Sequence, residues 1–98
     1  MYFVRVDDVD WLEAVGHYVC LHAHGATHLI RDTLARLEAR LDPQRFARVH
    51  RSTIVNVDRI KELRPAFHGQ YEIVMHSGER VASSRTAGPR IQQLLKHR

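Results

Sequence analysis

Apolar and polar side chains alternate with a period of two over residues 18–24 and 71–76, and short β-branched, aromatic or apolar runs recur between turn formers elsewhere. That is the pattern of strands that bury one face. Tyr2, Phe3, Val4 and Val6 predict a strand over residues 2–6, and Asp7 and Asp8 form a turn. A second strand follows over 9–14, broken by Gly16 and His17. Residues 18–24 continue as a third, with Val19, Leu21 and Ala23 alternating with Cys20, His22 and His24. Gly25 and Ala26 predict a tight hairpin turn, and residues 27–30 return.

The period then changes. Leu34, Leu37 and Leu41 stand three and four apart, the spacing of a short amphipathic helix that Asp32 or Thr33 can cap. Asp42 ahead of Pro43 ends it. Phe46 and Val49 read as inward-facing, and residues 54–57 as a buried strand. Extended segments follow over 60–63, 71–76 and 79–83, the last two joined by a turn at Ser77 and Gly78. Beyond Gly88 and Pro89, the residues Ile91, Leu94 and Leu95 predict a short terminal helix. The sum is seven or eight short strands and a mainly β, antiparallel fold, with one short helix after the first hairpin and another at the C-terminus. At 98 residues the chain makes one compact domain, 1–98. Its start directly ahead of a strand suggests a fragment of a larger protein.

Charge sharpens this picture. Residues 1–42 carry four basic and seven acidic side chains, a net of −3; residues 43–98 carry eleven and four, a net of +7. Of the 15 basic residues 13 are Arg, whose planar fork of donors suits phosphates and guanine edges. Composition alone leaves a polyanion partner and a solvated Arg-rich surface equally open. The single cysteine, Cys20, excludes an internal disulfide, reads as a buried core thiol and fits a reducing, cytoplasmic setting. No apolar run approaches the roughly 20 residues of a membrane-spanning helix.

Three segments are more specific. They are Trp11-Leu12-Glu13-Ala14-Val15-Gly16-His17-Tyr18-Val19, Phe46-Ala47-Arg48-Val49-His50-Arg51-Ser52-Thr53-Ile54-Val55-Asn56, and the hairpin over 71–83 leading into Ser84-Arg85. Together with Thr33-Leu34 and Leu37-Glu38, they resemble the LytTR domain over essentially the full chain. The resemblance implies an elongated β domain that serves as the output module of a bacterial transcription regulator, most often a two-component response regulator. Such a domain approaches one face of double-stranded DNA. Two of its loops enter successive major grooves, and a third region lies over the minor groove between. It also implies possible homodimers on paired direct repeats, and an N-terminal receiver or sensor domain outside these residues.

On that reading His17 and Tyr18 form the first reading loop, where Gly16 allows the unusual backbone of a protruding tip. Taken alone, the same residues are a strand bend with an exposed histidine. Arg51 and Ser52 are expected to hold phosphates or the minor groove, with Arg48 as a further phosphate contact. His50 is expected to tie the loop down from inside, and Asn56 to satisfy a turn backbone. Ser84 and Arg85 form the other tip. Arg85 is the best single candidate for base readout, because a bidentate Arg–guanine pair is the commonest specific contact; the alternative is a phosphate contact alone. Arg80 and Arg90 are expected to face phosphate or solvent. The two reading loops are expected about one helical turn apart, roughly 34 Å. After Arg85 the chain departs from the family's basic or aromatic continuation with Thr86-Ala87-Gly88-Pro89.

Other chemistry finds less support. His22, His24 and His28 are the tightest of the eight histidines. Three imidazoles can hold zinc, but with no acidic residue beside them in sequence they read as surface histidines on an exposed sheet face, and neither metal nor cofactor is expected. No nucleophile elbow, phosphate-cradling glycine loop or carboxylate cluster is present, so no catalysis is expected. A small β protein-interaction module without nucleic-acid binding remains the alternative. It does not explain the Arg-rich second half.

Overall fold

Eight strands form in the computed structural model, which describes residues 4–98. They are β1 (Val9–Val15), β2 (Tyr18–Ala23), β3 (Ala26–Ile30), β4 (Phe46–His50), β5 (Thr53–Asn56), β6 (Ile60–Pro65), β7 (Tyr71–Met75) and β8 (Arg80–Ala82). Two α-helices accompany them, α1 (Leu34–Arg40) between β3 and β4, and α2 (Gly88–Lys96) at the end. Every strand pairing is antiparallel. A five-stranded sheet has the order β3-β2-β1-β5-β4, and a three-stranded sheet the order β6-β7-β8. The long dimension is 40 Å against 25 and 23 Å.

Two apolar cores lie on opposite faces of the larger sheet. On one face Val9, Leu12, Val19, Phe46 and Ile54 meet Leu34, with Leu37 and Leu41 packed alongside. This is the α1 side. On the other face Ala47, Val49 and Val55 meet Ile73, Met75 and Val81 of the small sheet and Ile91 and Leu94 of α2. The strand β5 is therefore covered on both sides, and all four of its residues are buried. That is why its sequence reads as a continuous run where its neighbours alternate.

Local chemistry fixes the joints. The Thr33 hydroxyl caps α1 by accepting the Arg36 N–H at 3.2 Å. Asn56, fully buried, donates from Nδ2 to the Val9 carbonyl at 2.9 Å and accepts the Asp58 N–H at 3.0 Å. It satisfies a turn backbone as expected, and it also ties β5 to the start of β1. Gly88 is fixed by crowding, because a Cβ there would sit 2.8 Å from the Tyr71 ring.

Three details differ from the sequence reading. The described part of the strand expected over 2–6 is not a strand: Val4 and Arg5 are irregular and Val6 opens a 3-10 turn, Val6–Asp8, while residues 2 and 3 lie outside the described residues. The second hairpin turns on His24 and Gly25, not on Gly25 and Ala26. Both have positive φ, 54° and 73°, and Ala23 pairs with Ala26 across them. Two left-handed residues are what a two-residue type I′ turn requires. The C-terminal helix starts at Gly88, with Pro89 in its first turn, where a missing N–H costs nothing.

Candidate nucleic-acid interface

Sheet register decides which turns meet. Because Glu13 pairs with Thr53 and Trp11 with Val55, the β1–β2 turn and the β4–β5 turn leave the same end of the large sheet. The Ala14 N–H donates to the Ser52 carbonyl at 2.9 Å and joins them. A bulge at Val49 interrupts the pairing of β4 with β5. The Val49 carbonyl instead accepts the Ser84 N–H at 2.7 Å, which seats the Ser84–Arg85 segment beside the same end. Segments more than thirty positions apart thus form one row: Gly16–Tyr18, then Arg51–Ser52, then Ser84–Arg85.

Each expected site residue has a definite place in that row. His17 and Tyr18 are exposed at the β1–β2 tip, where Gly16 has φ 59° and Val15 pairs with Tyr18. A positive φ at the first central residue alone is the II′ pattern. Arg51 is exposed at the β4–β5 tip, and Ser52 is half-buried behind it. The Ser52 N–H donates to His50 Nδ1 at 3.3 Å, and the Ser52 hydroxyl lies 3.0 Å from the same nitrogen. His50 therefore braces the turn, though from an exposed position. Arg85 is exposed at the head of a 3-10 turn, Arg85–Ala87, with Ser84 half-buried before it and its hydroxyl 3.3 Å from that of Thr86.

Arg48 stands apart from the others. Its guanidinium donates to the carbonyls of His50, at 2.9 Å, and Arg51, and pairs with Glu38 of α1 at 2.8 Å. It lies under the β4–β5 turn with its donors occupied. Arg80 pairs with Glu72 at 3.3 Å and Arg90 donates to the Pro43 carbonyl at 3.2 Å.

Two neighbours were not anticipated. Since Val19 pairs with Ile30, the β2–β3 register brings Arg31 alongside Tyr18. Arg31, Asp32 and Arg36 line an open hollow of about 490 Å³ with Gly16, His17 and Tyr18. At the other end of the row the Arg85 stem lies over Gly69, the last residue of the 3-10 turn that opens with Phe67, which is 84% exposed. Neither residue belongs to a periodic run, so only the register and the packing reveal them.

The histidine expectation is corrected. His24 lies in the turn beside Asp8, at 3.2 Å, and His28 pairs with Leu21, which puts it on the sheet face opposite His22. His22 is not a surface histidine. Its side chain is 12% exposed and stacks on Trp11 at 3.9 Å, with Nε2 3.0 Å from Glu13. Cys20 is half-buried and belongs to neither core, in contrast to the core thiol expected.

The electrostatics separate along the molecule. At the end where β1 begins, Arg45 meets Asp7 at 2.6 Å and Asp58 at 3.2 Å, Arg98 meets Asp58 at 2.6 Å, and Arg59 lies 3.7 Å from Asp8. Hydrogen bonds that the Arg45 guanidinium donates to Asp7 and then to Asp58 hold its pKa above the ordinary value. At the loop end Arg31, Arg51 and Arg85 are exposed and take part in no ion pair among the described residues. Charge is cancelled at one end and left available at the other.

Comparison with known proteins bears on the family and the fold. A family model for the LytTr DNA-binding domain matches residues 1–96. The chain is 38% identical over 92 residues to the sensory transduction protein LytT of Bacillus subtilis, covering 94% of the chain and 38% of LytT. It is 36% identical over 94 residues to the CO-responsive transcriptional regulator RcoM of Rhodospirillum rubrum, covering 95% of the chain and 40% of RcoM. It therefore spans about two fifths of the length of these curated relatives. A solved LytTr DNA-binding domain, from a Bacillus cereus protein described as a methyl-accepting/DNA response regulator, superposes with a TM-score of 0.84 at 34% identity. The match covers 94% of this chain and 84% of that one.

Proposed function

The chain belongs to the LytTR family of DNA-binding domains, and from that premise we propose that its row of three turns grips one face of a DNA duplex. The supporting observation is the pair of hydrogen bonds, Ala14 to Ser52 and Ser84 to Val49, that holds the turns in one row with exposed arginines. His17 and Tyr18 enter one major groove and offer donors, acceptors and an apolar ring to base edges. Arg85 enters the next groove and pairs with a guanine, with Ser84 holding its approach. Arg51 and Ser52 lie over the minor groove between and hold its phosphates. Arg48 serves the interface from behind, by fixing the carbonyls of the central turn.

In this mode the outer tips, three strand steps or roughly 15 Å of backbone apart and so closer than the roughly 34 Å of one helical turn expected from the resemblance, reach the facing edges of two major grooves through their long side chains. Successive major grooves repeat at about 34 Å and are about 12 Å wide, so their near edges lie about 22 Å apart. The tips need to span those edges, a shorter reach than groove centre to groove centre.

In this reading the domain acts by binding alone and catalyses nothing. It is the output part of a longer bacterial regulator working in the cytoplasm, with a receiver or sensor domain supplying control, and pairs of domains occupy direct repeats. No helix among the described residues is long and apolar enough to cross a membrane. Selection of binding sites from random duplexes tests the assignment. Arg85→Ala is expected to lose preference at one base position, at a cost of about 1–3 kcal/mol. An unchanged preference removes Arg85 from base readout.

A further inference from the structure

On the sheet face turned toward the small sheet, Glu13, Cys20 and His22 come together. Glu13 and Cys20 are direct cross-strand partners, and His22 follows Cys20 by two positions on the same face of β2. Their ligating atoms, a Glu13 carboxylate oxygen, the Cys20 Sγ and a ring nitrogen of His22, all lie within 4.8 Å of one another. His22 Nε2 is already 3.0 Å from Glu13 Oε1. We propose that these three side chains form a binding site for a borderline-soft divalent transition metal of the zinc type, independent of the DNA reading.

Donor chemistry selects the ion. A thiolate, an imidazole and a carboxylate are the donors zinc takes, at about 2.0–2.3 Å each, whereas magnesium and calcium take oxygen alone. A tetrahedral centre with those bond lengths needs donors about 3.5 Å apart, so the present spread closes by side-chain rotation of an ångström or so. The opposite side of the imidazole is prepared as well. Its Nδ1 faces Glu79 Oε2 at 3.7 Å, and that oxygen accepts the Trp11 indole N–H at 2.9 Å. A ligating histidine characteristically points its second nitrogen at such a carboxylate, which fixes the tautomer and ring direction. Stacking on Trp11, with an interplanar angle of 6°, holds the ring plane. The way in is open, because Leu29, the β3 partner of Cys20, is 62% exposed on the same face. Three protein ligands leave a fourth position for water or a further donor.

Cobalt(II) titration of the reduced, chelator-stripped full chain tests the site. The expected result is one ion per chain, with a thiolate-to-cobalt charge-transfer band that zinc abolishes by displacement. Cys20→Ser should remove the band, and His22→Gln should weaken binding at least tenfold. Glu79→Gln should weaken it by about 10- to 100-fold while keeping the band, as loss of an outer carboxylate does. Metal-free thermal midpoints establish that each variant is folded, and zinc should raise the midpoint of the wild type but not of Cys20→Ser. Cobalt bound without a thiolate band, no binding, or equal affinity in folded Cys20→Ser would each overturn the site and leave Glu13 and His22 as a structural hydrogen-bonded pair.

Discussion

Two arginines three positions apart show how a side chain's partners decide its role. Arg48 has its guanidinium engaged by Glu38 and the carbonyls of the central turn, while Arg51 stands exposed at the tip. A residue that neutralises a phosphate releases counterions, so its removal lowers the salt dependence of binding by about 0.9 log units per log salt. Arg51→Ala should therefore weaken binding and flatten that slope by this amount. Arg48→Ala should weaken binding with the slope unchanged, and should speed amide exchange at residues 50–52. Equal slope changes for the two would place Arg48 on the phosphate backbone. The sequence counted both residues as basic and offered both as phosphate contacts. What separates them is a turn closing over one of them and an acid from α1, and neither has a local signature.

Elements were legible wherever one physical pattern dominated. The heptad-like leucines gave α1, and the apolar run at residues 54–57 gave a buried strand, observed one position earlier as β5, Thr53–Asn56, with Val57 opening a 3-10 turn. Errors fell where short-range chemistry competes. Gly25 marked the second hairpin correctly, but a histidine supplied its other left-handed residue, which side-chain type does not announce. Apolar content alone suggested a strand over 2–6, where the described residues from Val4 onward hold an irregular stretch and a 3-10 turn. Asn56 is the joint most open to test at this scale. It is fully buried and satisfies groups on two elements, and leaving a buried polar group unpaired costs about 1–3 kcal/mol. Asn56→Ala should lower stability in urea by that order or more. The folded fraction should retain its base preference, because the residue is remote from the tips. A shift in preference with stability unchanged would put Asn56 in the interface.

For the molecule as a whole, folding sorts charge that composition only totals. The net of +4 understates the loop end, because Asp7, Asp8 and Asp58 are held against Arg45, Arg59 and Arg98 at the other. Three tips remain in a row on an edge built by sheet register, with Arg51 and Arg85 on two of them and Arg31 beside the third, and that row is what meets a duplex in this account. Such an edge was partly readable beforehand, since the motifs named the tips; their alignment came only with the β1–β5 register and the bulge at Val49. The most direct measurement is amide-resonance mapping of the domain during titration with duplex DNA at moderate salt. The account predicts shifts concentrated at residues 16–18, 50–52 and 84–86, with Arg31 beside them and little change around Arg45, Asp58 and Arg98. Shifts centred on that far end, or confined to one of the three turns, would contradict it.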